Sequence, residues 1–77
     1  MKMSKVAKMV GVNRRTILNW VTHKSLVAFF SAEARNEGDR ELDEKDIFII
    51  NTIKDLRDNT TRDWEKIAQK IHDGYLV

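Results

Sequence analysis

Apolar residues recur along this chain at helical rather than alternating spacing. In the first periodic segment Ser4 is a good N-cap, and Val6, Ala7 and Val10 form a narrow stripe. Gly11 then stands where a left-handed residue ends a helix, with Val12 set to tuck between helices. Asn13 is the next N-cap, opening a helix that runs through about Thr22. Its inward face is Ile17, Trp20 and Val21, which leaves Arg14, Arg15, Leu18, Asn19 and His23 largely outward. Residues 26–30 are a compact apolar run with β-branched and aromatic members, more strand-like than helical. The turn signal Asn36-Glu-Gly-Asp39 and a short return strand at residues 40–42 follow, so the pattern predicts a hairpin over residues 28–42. A third helix starts strongly, with Asp43 and Asp46 as a capping box and Leu42 stapling onto Ile47. It carries Ile47, Phe48, Ile49, Ile50, Ile53 and Leu56, enough apolar surface for the central helix of the fold, and ends near residues 57–59. Thr60 and Asp63 make a second capping-box pattern before Trp64, Ile67, Ala68 and Ile71, the cleanest amphipathic spacing present. Gly74 is read as the stop, with Tyr75 or Leu76 folding back on the last turn. The two later helices are thus placed at about 43–58 and 61–73.

Composition adds boundaries to this picture. Seventy-seven residues make one small domain, and 42% apolar with 34% charged residues describes a globular chain rather than a disordered one. Without cysteine there is neither a disulfide framework nor a thiolate zinc site. The apolar runs are too short to span a bilayer and the start lacks a secretory h-region, so a cytoplasmic location without membrane contact is expected. Charge changes the picture most. Residues 1–32 hold six basic and no acidic residues, whereas the remainder holds eight basic and twelve acidic ones. The net +2 conceals a polarised chain with one end attractive to a polyanion.

The basic end also carries the best candidate chemistry. An α-helix fits the major groove of B-DNA, and residues near its N-terminus reach base edges. Arg14 and Arg15 stand there, each able to pair with guanine or grip a phosphate. Asn13, Thr16 and Asn19 offer short polar groups for adenine edges or phosphate oxygens, and Leu18 a methyl contact to thymine. Lys5 and Lys24 suit the DNA backbone. Each feature has a plainer reading: the acid-free run as a solvated surface, Trp20 and Trp64 as core rather than base-stacking platforms, His23 as a surface residue. Arg40 either pairs with neighbouring acids or holds a phosphate. The acids between Glu33 and Asp46 lack the order of a calcium loop and are better read as caps and solvated charge. No nucleophile motif, phosphate loop or metal spacing points to an enzyme, a cofactor or a metal.

A family resemblance now becomes specific. Ala7, Gly11-Val12, Asn13, Arg15-Thr16-Ile17 and Trp20 resemble the opening of the MerR superfamily of winged helix-turn-helix domains, which has Ala, Gly-Val, a polar cap, Arg-Thr-Leu and an aromatic residue. The resemblance continues through Asp43-Glu-Lys-Asp-Ile47 and the Trp64-Glu-Lys-Ile67 helix, and so covers nearly the whole chain. It implies a mainly α winged helix-turn-helix fold with four helices and a two-stranded β wing, the helix-turn-helix at about 4–22 and the wing at about 28–42. It implies binding to double-stranded DNA, with Arg15, Thr16 and Asn19 inheriting recognition-helix contacts and Arg40 the wing arginine's role. Asn19-Trp20 replaces the frequent tyrosine pair, and Asp39 stands where a tyrosine usually precedes the wing arginine. Residues 16–21 look closer to RacA-like chromosome-anchoring and plasmid partition proteins. The expected context is therefore DNA segregation in a longer bacterial or plasmid-encoded protein, dimerising through a C-terminal region outside these residues. A MerR-type transcription regulator, a phage excisionase-like protein and a protein-interaction module are the alternatives.

Overall fold

A computed structural model describes residues 1–38 and 40–75. Four α-helices follow in order: α1 (Met3–Val10), α2 (Arg14–Thr22), α3 (Glu44–Asn59) and α4 (Trp64–Tyr75), with a 3₁₀ turn at Val27–Phe29. α1 packs on α2 and α3, α4 packs on α3, and the 3₁₀ turn packs on α2. One core unites them: Val6 and Ala7 of α1, Ile17, Trp20 and Val21 of α2, Ile49, Ile50 and Ile53 of α3, Ile67 and Ile71 of α4.

The helix boundaries follow local chemistry, with three shifts from expectation. α1 begins before Ser4: Lys2 is its N-cap residue, without a side-chain cap, because Met3 is drawn into the core. Gly11 ends it at φ +83°, the left-handed conformation that only glycine adopts at little cost. α3 opens on the predicted capping box, Asp43 accepting from the Asp46 amide at 2.8 Å and Asp46 from the Asp43 amide at 3.0 Å. Of its apolar residues, Ile47 and Leu56 are half-buried and Phe48 is exposed. Before α4 the cap is Asp63 rather than Thr60; it accepts from the Glu65 amide at 2.9 Å, while Thr61 accepts from the Asp63 amide. Gly74 does not stop α4, which runs on to Tyr75. The expected fold-back of Tyr75 or Leu76 falls on side chains outside the described residues.

Among the described residues the two-stranded β wing is not formed: there is no strand, and those of the span 28–42 make no hairpin. Leu26, Phe30 and Ala34 are buried while Ala28 is exposed, a spacing of four that suits consecutive turns and not the alternation of a strand. The apolar run therefore reaches the core by coiling into the 3₁₀ turn. The supposed return strand is engaged elsewhere: Glu41 makes an isolated antiparallel bridge with Lys2, and the Leu42 amide donates to the Met1 carbonyl at 2.8 Å.

Two knots hold this connecting segment in place of a β ladder. At one end the buried Asp46 carboxylate accepts from the Ser31 amide at 2.9 Å and the Ser31 hydroxyl at 2.6 Å, besides the Asp43 amide. At the other, Glu41 pairs with Lys2 Nζ at 2.8 Å and with the Met1 amine at 2.9 Å. Those hydrogen bonds, from Lys2 first and the amine second, pull the Glu41 carboxyl down to about 2.

Candidate nucleic-acid interface

The short turn between α1 and α2 aims the second helix. After Gly11, Val12 packs half-buried against the core, and the Asn13 side chain caps α2 by accepting from the Arg15 amide at 2.8 Å. Ile17 and Val21 are fully buried and Trp20 nearly so, so the helix is locked from behind. Arg14, Arg15 and Asn19 lie exposed on the other side, with Asn13 beside them, and Thr16 and Leu18 are half-buried at the margins. Leu18 also packs against the core, which leaves only part of its side chain for an outside contact.

Electrostatics favour an anion at this end. The first turn of α2 has no acidic residue and its cap is a neutral asparagine, so the positive end of the helix dipole is not offset. Arg14 and Arg15 form no ion pair among the described residues. A helix with uncompensated arginines at its N-terminus, held rigidly by its other face, can dock on a polyanion and hydrogen-bond base edges.

The remaining candidate residues fall into two groups. Arg40 is half-buried, its Nη1 donating to the Ala34 carbonyl at 2.9 Å, and it lines a cleft together with Arg14. Arg40 thus comes to the N-terminal end of α2 without a wing, and among the described residues it does not pair with an acid. Lys5 on α1 and Lys24 beyond α2 are exposed but do not line that cleft. Lys2, Ser4 and Gly38 line the cleft too. Residue type alone gave no hint of them, except that Lys2 belongs to the acid-free run.

His23 and the tryptophans have structural places. Trp20 is core, while the half-buried Trp64 stacks beside His23 with ring centroids 4.7 Å apart and carries the Arg57 guanidinium 4.5 Å from its centre. His23 Nδ1 accepts from the Ser25 amide at 3.1 Å, so the ring closes the turn after α2 and fastens it to α4. No helix among the described residues is long and apolar enough to cross a membrane.

Comparison with known proteins agrees with this arrangement. A family model described as MerR HTH family regulatory protein matches residues 1–69. No curated protein and no solved structure gives a significant match. The family match does not single out the RacA-like proteins. MerR-family helix-turn-helix domains bind double-stranded DNA. With its glycine turn, capped arginine-bearing second helix and a match that runs through three helices and into the fourth, this chain belongs to the MerR HTH family of regulatory proteins.

Proposed function

We propose that the domain binds double-stranded DNA by laying the N-terminal half of α2 in the major groove, in the service of transcription regulation. The observation that carries this reading is the two-sidedness of α2: Ile17, Trp20 and Val21 sealed in the core, Arg14, Arg15 and Asn19 exposed, with neither arginine ion-paired among the described residues. Arg15, Thr16 and Asn19 take the base edges, Asn13 and Leu18 assist at the helix margins, and Lys5 and Lys24 attract the flanking backbone. The family match supports regulation ahead of a segregation role.

Fluorescence anisotropy with duplex DNA across a salt series tests the reading. Binding should weaken steeply, with a log–log slope of about −0.9 for each phosphate neutralised. Affinity for an acidic protein but none for DNA would favour an interaction module and sink the proposal.

A further inference from the structure

A cleft of about 230 Å³ opens between the first turn of α1, the start of α2 and the segment around Gly38. Arg14 of α2, Arg40 of the connecting segment and Ser4 of α1 line it on three sides. Arg40 is held there by the neutral Ala34 carbonyl, which orients the guanidinium and leaves its charge intact. Lys2, also at the wall, is already committed to Glu41. Among the described residues the cleft has one carboxylate, Glu37, and it forms no ion pair with either arginine. Two arginines from separate elements thus line one polar cleft, neither of them ion-paired among the described residues.

We propose that this cleft seats a single phosphate of the DNA backbone, gripped jointly by Arg14 and Arg40 with Ser4 as a third donor, and that Glu37 weakens the seat by like-charge repulsion. The inference rests on the DNA-binding reading and deepens it. The forked guanidinium matches phosphate oxygens, and two forks from separate elements define one position for them. The cleft lies at the same end of α2 that meets the groove, which favours a backbone phosphate over a free one. Work is thereby divided between adjacent arginines: Arg14 fixes the register of the helix on the duplex, and Arg15 is left to read bases.

The test combines a double-mutant cycle with amide chemical shifts in ¹⁵N-labelled protein. On a mixed-sequence duplex, Arg14→Ala and Arg40→Ala should each lower affinity about fivefold, and the double variant should lose clearly less than the product, as partners on one phosphate must. Losses that simply multiply would mean separate phosphates and overturn the shared seat. Glu37→Gln leaves the Arg40 tether to Ala34 untouched and should raise affinity about two- to threefold; no gain would overturn the repulsive role. Duplex DNA should shift the Ser4 and Gly38 amides. Inorganic phosphate at matched ionic strength should shift them only weakly, and an equal shift at equal concentration would assign the cleft to the free ion instead. If the Arg15 and Asn19 amides move with DNA while Ser4 and Gly38 stay still, the seat is refuted and the DNA-binding reading survives. If no amide moves and anisotropy is flat, that reading itself fails.

Discussion

Replacing Asp46 with asparagine changes two atoms' worth of chemistry and should cost the domain a large part of its stability. The carboxylate is fully buried and accepts three hydrogen bonds, from the Ser31 amide, the Ser31 hydroxyl and the Asp43 amide. An asparagine keeps the shape but offers one oxygen to donors on two sides. The Ser31 hydroxyl can rotate and accept from the new amide, whereas one backbone N–H cannot adapt. That orphaned donor costs about 1–3 kcal/mol, and loss of charge weakens the surviving bonds by roughly another 1 kcal/mol. The expected sum is about 2–4 kcal/mol against a total near 4–12 kcal/mol for a chain of this length. Thermal unfolding followed by circular dichroism should show Tm falling by about 8–30 °C, at roughly 4–8 °C per kcal/mol for a domain this small. Ser31→Ala alone should be milder, and the double variant should cost less than the two singles added, since both cut the same knot. A Tm for Asp46→Asn within ~2 °C of the parent would refute the reasoning, because the buried network would then carry no stability.

Arg15→Ala should cost about 1–3 kcal/mol of DNA affinity and flatten base preference, read by anisotropy on a panel of duplexes; an equal loss on all sequences would move Arg15 to the phosphates. Trp64→Ala removes the stack on His23 and the contact with Arg57 and should destabilise by about 2–4 kcal/mol in urea titration, with Trp64→Phe recovering much of the loss. The Glu41 carboxyl is held down to about 2, so its tie to Lys2 and the Met1 amine should be complete above the ordinary carboxylate value of 4.5 and be lost as pH falls toward about 2. Protection of the Leu42 amide against hydrogen exchange should follow that window, and Glu41→Gln should abolish the pH dependence.

Much of the helical scaffold was legible because its signals are local. The stripe of Trp64, Ile67, Ala68 and Ile71, the Asn13 cap, the left-handed Gly11 and the Asp43–Asp46 box each lie within one turn of the feature they specify. Residues 26–30 defeated the reading because a five-residue apolar run fits a strand or a turn equally well until its neighbours choose. The neighbours here were distant in sequence: Asp46 holds Ser31, and Met1 and Lys2 occupy the backbone and side chain of the segment that a hairpin would have used. The start of α1 at Met3 is likewise a tertiary outcome, where burial of that side chain overrides the cap signal at Ser4. Among the candidate contacts, sequence reasoning identified Arg14 and Arg40 separately. It had no means of seeing that they share a cleft, since their meeting depends on that same refolded segment.

The way residues 31–42 are moored has an evolutionary consequence. A β ribbon would fix its tip through many main-chain bonds, and re-aiming it would require changing register or length. Here the bearing of Arg40 depends on side-chain tethers at either end, Ser31 to Asp46 and Lys2 to Glu41, with the Ala34 carbonyl between them. Asp46 is bound up with the start of α3. A substitution at the exposed Lys2 or at Glu41, by contrast, can swing the arm with far less disturbance of the core, so how firmly such a domain clings and which sequence it reads are free to drift apart.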